Sequence, residues 1–121
     1  SISTAMVING EAGSDVIWAS AGDDTLNGGE GNDVLFGGAG VDTLTGGSGA
    51  DIFEFEKASG NDVIKDYKLS QGDKLKFYLQ AGDPNTISLA SGNIVKWGSL
   101  SLTFEGASFS GLSDISVEFI I

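Results

Sequence analysis

Cysteine and histidine are both absent from this 121-residue chain. Without cysteine there can be no disulfide, no thiolate metal site and no thiol nucleophile. Without histidine the usual zinc ligands and the commonest general base are missing as well. Proline occurs once against nineteen glycines, which favours tight turns over a stiff polyproline linker. No stretch approaches the roughly 20 apolar residues of a membrane span. The opening "SISTAMVING" has neither the basic start nor the long apolar run of a signal peptide. It also begins without methionine, as a piece excised from a longer polypeptide would.

Positive charge is scarce and unevenly placed. Residues 1–56 contain ten carboxylates and no lysine or arginine, whereas residues 57–121 contain seven carboxylates and six lysines. Nearly all of the net charge of −11 therefore belongs to the first half. Such a segment repels itself, nucleic acid and anionic membranes. It is either a solvated acidic tract or a segment whose missing positive charge is supplied by bound cations. Apolar residues make up 40% of the chain, enough for the core of one domain, or of one domain with an appendage.

What is present is a repeat. From Gly10 the chain divides into "GEAGSDVIW", "ASAGDDTLN", "GGEGNDVLF", "GGAGVDTLT" and "GGSGADIFE". Position four is always glycine: Gly13, Gly22, Gly31, Gly40 and Gly49. Position six is always aspartate: Asp15, Asp24, Asp33, Asp42 and Asp51. Position eight is always large and apolar, from Ile17 to Phe53. A random acidic linker would not hold three positions in phase. Glycine-rich positions one to four make a turn, and positions six to eight are β-prone. Side chains alternate along a strand, so positions six and eight point one way and seven and nine the other.

One turn and one short strand per unit wind a solenoid, with two units to a coil and a strand on each side. Units n and n+2 then stack. Asp15, Asp33 and Asp51 fall along one edge, and Asp24 and Asp42 along the other. Strands stack about 4.8 Å apart, so these carboxylates would repel one another without cations between them. Ca²⁺ suits the position, because it accepts six to eight oxygens from carboxylates and carbonyls. Mg²⁺ suits it less, since it demands octahedral geometry and releases water reluctantly. No stretch matches an EF-hand loop.

The units "GGEGNDVLF", "GGAGVDTLT" and "GGSGADIFE" resemble the G-G-x-G-x-D-x-U-x nonapeptide of the RTX (repeats-in-toxin) family. The resemblance implies an all-β chain: a right-handed parallel β-roll of nonapeptide repeats holding Ca²⁺ between turns, about three to five ions in all. It implies that the ligands are the position-six aspartates together with carbonyls of the turns. In unit three these are Gly28, Gly29, Glu30 and Gly31. In unit four they are Gly37, Gly38, Ala39 and Gly40, and in unit five Gly46, Gly47, Ser48 and Gly49. Gly13 and Gly22 are the corresponding positions of the first two units, which depart from the pattern at Glu11, Ala19 and Ser20.

"GNDVIK" (60–65) reads as one more half-unit, displaced by two residues, which adds Asp62 as a cap or ligand. The stretch from Asp62 to Tyr67 and the later "GDKL" resemble the segment that closes the roll in secreted RTX proteases and alginate epimerases. Asp66 and Asp73 are ligands or surface charge on this reading. The roll is expected over 1–65, and a β-rich C-terminal cap over 66–121. Within the cap the strands are "KLKFYL", "TISLA", "NIVKW" and "LSLTFE", with Gly98-Ser99 as a hairpin turn, and then "DISVEFII". A cap is needed because the last coil exposes an unpaired edge and an open core.

The outward positions differ by side. Odd units present Val16, Trp18, Val34, Phe36 and Ile52, a face expected to be covered by the C-terminal segment or by a partner. Even units present threonine and asparagine. The terminal Glu118-Phe119-Ile120-Ile121 resembles the secretion signal of type I-exported RTX proteases, and is equally readable as the last strand. The expected role is a calcium-dependent folding and export module at the C-terminus of a larger protein. That protein is secreted by a bacterium or held at its surface, and the module's partners are its upstream domains and a type I secretion apparatus. The alternative is an adhesin-type or polysaccharide-binding module. No nucleophile–base pair suggests an enzyme, and neither nucleic acid nor a membrane span is expected.

Overall fold

In the computed structural model, which describes residues 5–57 and 59–121, the repeat becomes a ladder of three-residue strands. They are β1 (Val7–Asn9), β2 (Val16–Trp18), β3 (Thr25–Asn27), β4 (Val34–Phe36) and β5 (Thr43–Thr45), followed by β6 (Ile52–Phe55) and β7 (Val63–Ile64). Each begins one residue after a position-six aspartate, except β1, which follows Met6. Glycine follows β1, β3, β4 and β5 (Gly10, Gly28, Gly37 and Gly46) and begins the turn that sends the chain back. At position four Gly31, Gly40 and Gly49 hold φ between 98° and 104°, a left-handed conformation that costs glycine little.

Odd and even units separate into two sheets, as alternation within a two-unit coil requires. One sheet runs β12-β8-β6-β4-β2 and the other β1-β3-β5-β7-β11-β10-β9. Pairing within the roll is parallel and in register, Leu35 opposite Phe53 and Leu26 opposite Leu44. The result is a β-solenoid of about four turns. Position eight points inward from both sheets, and Leu26, Leu35, Leu44, Phe53 and Ile64 are fully buried. Burying one such side chain contributes about 1.5–3 kcal/mol.

The C-terminal residues extend both sheets. Strand β8 (Lys74–Tyr78) lies parallel to β6, and β12 (Val117–Ile120) lies parallel to β8. On the other side β11 (Leu100–Phe104) lies parallel to β7. Strands β10 (Ile94–Trp97) and β9 (Ser88–Ser91) then continue antiparallel, with the Gly98-Ser99 turn joining β10 to β11. Aromatic rings fill the end of the core: Phe77 lies 4.8 Å from Trp97 and 5.6 Å from Phe119. Tyr67 meets Phe104 and Phe109 edge-on. The two single-turn 3₁₀ segments, Leu69–Gln71 and Leu112–Asp114, are the only helical turns among the described residues.

One strand of the roll lies ahead of the five nonapeptide units, and one feature departs from the sequence reading. The chain already follows the coil at β1, where Ile8 takes the inward position although Met6 stands in place of the aspartate. The C-terminal segment does not cover the apolar outer face of the odd units. It lengthens that sheet at its far edge, leaving Val16 and Trp18 about 70% exposed (69% and 71%).

Candidate calcium sites

The position-six aspartates stand on the inner side of each turn, and all but one are buried: Asp24, Asp33, Asp42, Asp51 and Asp62 are at most 1% exposed, and Asp15 is half-buried. In all of them but Asp15, one oxygen has a fixed task. Oδ1 accepts the backbone N–H of the position-six residue one coil earlier: Met6 to Asp24 (2.9 Å), Asp15 to Asp33 (2.8 Å), Asp24 to Asp42 (2.8 Å) and Asp33 to Asp51 (2.9 Å). The two-residue displacement of the last half-unit is absorbed without loss of this bond, since Asp42 donates to Asp62 at 2.8 Å.

The second oxygen has no partner. Oδ2 of Asp15, Asp24, Asp33, Asp42, Asp51 and Asp62 is buried and accepts nothing. Buried polar atoms are almost always hydrogen-bonded, so six orphans in one repeating position need a common cause. Their surroundings supply one. A side-chain carbon placed on Gly28 would lie 2.5 Å from Oδ2 of Asp33 and 2.6 Å from the carbonyl oxygen of Gly46. On Gly10 it would lie 2.7 Å from Oδ2 of Asp15 and 2.8 Å from the carbonyl of Gly28. Thus a carboxylate oxygen of one unit and a turn carbonyl of the next coil converge over a glycine that has no side chain. On Gly37 and Gly46 the added carbon would likewise meet Oδ2 of Asp42 and Asp51.

Charge points the same way. Among the described residues the ion pairs are Lys57–Asp83 and Lys74–Glu118, and neither lies on an aspartate column. Burial raises the carboxyl of Asp42 to about 7, that of Asp51 to about 7 and that of Asp62 to about 8, with the neighbouring aspartates adding to the shift. Asp33 is raised for the same reasons. These groups are held where they ionise only at a cost, unless a cation offsets it. Among the described residues no three acidic or histidine side chains gather at one point. A cation between coils would therefore draw on fewer than three carboxylates, with carbonyls completing its shell. That donor set, all oxygen and flexible in number, fits Ca²⁺.

The other sequence candidates fall into distinct places. Gly29, Gly38 and Gly47 hold left-handed φ at position two, as Gly13, Gly22, Gly31, Gly40 and Gly49 do at position four. The side chains of Glu30, Ala39 and Ser48 are exposed, so only their carbonyls remain as candidate donors. Asp66 is engaged elsewhere: its two oxygens accept the N–H groups of Gly46 (2.8 Å) and Gly47 (2.7 Å). Asp73 continues the odd column and accepts from Asp51 at 2.9 Å, but its Oδ2 takes the N–H of Lys68 at 2.8 Å. It thus differs from the six orphans. Beyond it both columns end in apolar residues, Leu102 in register with Asp62 and Ile115 in register with Asp73.

Two groups escaped the sequence reading. Gly10 occupies position one of the first unit and cradles Asp15 as Gly28 cradles Asp33; its place in the nine-residue frame was the available signal. Position five carries a second ladder, in which Oδ1 of Asp23, Asn32 and Asn61 accepts the N–H of Val41, Ala50 and Ser101.

A model of the RTX calcium-binding nonapeptide repeat, four copies in all, matches residues 7–35 and 19–53. Residues 7–53 are thus similar to that repeat. No curated protein matches the chain. RTX repeats of this kind bind calcium, and the match stops short of the displaced half-unit at Asp62 and of everything after it.

Proposed function

We propose that this chain is a calcium-triggered folding module of a secreted bacterial RTX protein, in which the roll over 1–65 folds on meeting calcium and the segment 66–121 closes its open end. The observation that carries this reading is the pair of columns, one on each edge, that together hold six buried, unpartnered aspartate oxygens beside stacked glycine turns. In this reading Ca²⁺ bridges successive coils through Oδ2 of Asp15, Asp24, Asp33, Asp42, Asp51 and Asp62 and through turn carbonyls such as those of Gly28 and Gly46. When bound, the ion supplies positive charge to residues 1–56, which have no lysine or arginine.

The energetics favour a switch. Without calcium the repeat carries uncompensated carboxylates and self-repulsion opposes compaction. In calcium-rich surroundings each site binding at ten-fold saturation stabilises the fold by about 1.4 kcal/mol. A few sites together match the 5–15 kcal/mol stability of a typical small domain. Such a chain would travel unfolded through a calcium-poor cytoplasm and fold after export, helping the polypeptide ahead of it to fold as well. The terminal Glu118-Phe119-Ile120-Ile121 is the candidate export signal.

The test is a calcium titration followed by far-UV circular dichroism, with Mg²⁺ as control. Conversion from coil to β-structure near millimolar Ca²⁺, absent with Mg²⁺, is expected. A chain that is fully β-structured in EDTA at neutral pH would overturn the switch. Export of a passenger fused ahead of residue 1, with and without residues 118–121, tests the secretion role separately.

A further inference from the structure

The outer face of the odd units contains a groove that the calcium sites do not use. It is lined by Trp18, Phe36, Glu54, Glu56 and Tyr78 and has a volume of about 380 Å³, within the range of small-molecule sites. Position nine of the odd units builds it. Trp18, Phe36 and Glu54 are in register across β2, β4 and β6, so the aromatic ladder runs directly into a carboxylate. Glu54 is only 6% exposed, an unusual position for a carboxylate on an outward-facing column.

Geometry and donor chemistry together choose the ligand. The rings of Trp18 and Phe36 lie 5.8 Å apart at 53°, so they form a corner rather than the flat platform that a pyranose ring would stack on. Tyr78 donates its hydroxyl proton to Glu54 at 2.7 Å. Apart from the indole N–H of Trp18, the remaining polar atoms are therefore acceptors. Lys76 lies opposite Glu54 in the ladder, yet the lysine ion pairs among the described residues join Lys57 to Asp83 and Lys74 to Glu118. A corner of aromatic faces closed by carboxylates is the environment that attracts an organic cation through ring quadrupoles and charge. A hydrated metal ion gains little from the apolar walls, and a lipid surface would meet carboxylates instead of basic residues.

We infer that the Trp18–Phe36–Glu54–Tyr78 groove binds a small, freely diffusing organic cation with a quaternary or substituted ammonium head. The head sits against Trp18 and Phe36, and its charge faces Glu54 and Glu56. This inference is independent of the calcium reading.

The test uses the full chain in saturating Ca²⁺, with choline as probe and its uncharged isostere 3,3-dimethyl-1-butanol as control, followed by calorimetry and tryptophan fluorescence. Trp97 is buried and Trp18 exposed, so the fluorescence change reports mainly on Trp18. Saturable choline binding is expected, about tenfold weaker in Trp18→Ala and several-fold weaker in Glu54→Gln. Trp18→Ala removes an exposed ring and should leave the calcium-induced circular dichroism unchanged, which separates loss of binding from loss of folding. Equal binding of the isostere, unaltered choline binding in folded Trp18→Ala, or no choline binding at all would each overturn the inference. So would binding of cellobiose, or of phosphatidylcholine vesicles, in place of free choline.

Discussion

Asp51 holds the N–H of Asp33 with one carboxylate oxygen at 2.9 Å and leaves the other buried without a partner. One side chain thus does two things. Oδ1 ties coil to coil through the backbone, and in the proposed reading Oδ2 takes an ion. The first task works without metal and the second does not, so the stability of the roll must depend on whatever sets the charge on Oδ2.

Proton binding is one such control. Burial raises Asp42, Asp51 and Asp62 to about 7, 7 and 8, against 3.8 in the unfolded chain. Below about pH 4 both states are protonated and these groups exact no penalty. Between about pH 4 and 8 the unfolded chain ionises while the folded one resists, so calcium-free stability falls as pH rises. Above about pH 8 the penalty is complete and constant. Far-UV circular dichroism in EDTA from pH 4 to 9 should show this decline as β-structure held at the acid end and lost as pH rises. Saturating Ca²⁺ should abolish or reverse it, and calorimetry at pH 7 in buffers of different ionisation enthalpy should detect proton release on binding. Calcium-free β-structure that increases from pH 4 to 8 would contradict the assignment.

The two tasks of these aspartates can be separated by mutation. Asp42→Asn keeps an acceptor for the N–H of Asp24 but removes the charge. Calcium stoichiometry should drop and the folding midpoint rise by about tenfold, because affinity follows ligand charge. Asp66→Asn removes a carboxylate whose oxygens already accept two glycine amides. It should weaken the fold while leaving the stoichiometry intact. Ions counted by equilibrium dialysis decide between them, and equal losses in both variants would refute the distinction.

Much of this was legible in the sequence because the repeat places one chemical role at each position. Gly31, Asp33 and Leu35 announced turn, edge and core, and the eighteen-residue spacing of Asp15 and Asp33 reappears as a hydrogen bond. Strand β1 was harder to see, because Met6 removes the aspartate that marks position six. The partners of Asp66 and Asp73 were not legible, since nothing local says that one carboxylate meets glycine amides 19 and 20 residues earlier. The parallel docking of β12 on β8 joins residues more than forty positions apart and leaves no periodic trace. Exposure of Trp18 was hidden for a similar reason: alternation shows which way a side chain points, not what comes to cover it.

Backbone strain gives a third prediction. Glu11 holds φ at 67° at position two, where Gly29, Gly38 and Gly47 hold 89°, 82° and 85°. Glu11→Gly should therefore stabilise the calcium-loaded roll by about 0.5–1 kcal/mol, the left-handed penalty less the added chain entropy. Gly29→Ala is the converse. Its methyl would meet the carbonyl of Glu11 in the neighbouring coil and keep a left-handed φ, so a loss of about 2 kcal/mol or more is expected. Urea unfolding at fixed Ca²⁺ measures both, and a destabilised Glu11→Gly would show that the glutamate contributes something beyond its backbone.

Tyr67 joins the end of the roll to the last strand. Its hydroxyl accepts the N–H of Ser116 at 2.8 Å, and the carbonyl of Ser116 in turn accepts the N–H of Leu75 at 2.8 Å. The ring is 4% exposed and packs against Phe104 and Phe109. Tyr67→Phe preserves that packing and deletes only the acceptor, so a part-buried amide loses its partner at a cost of about 1–3 kcal/mol. The loss should be local. Amide exchange should quicken at Ser116, Leu75 and Phe77, where β12 meets β8, and stay slow at Leu26 and Leu44 in the opposite sheet. Uniform acceleration would instead mean that the end of the roll and its coils unfold as one unit, so that weakening the closure weakens every coil. Unchanged exchange would mean that the parallel ladder of β12 holds the closure without Tyr67.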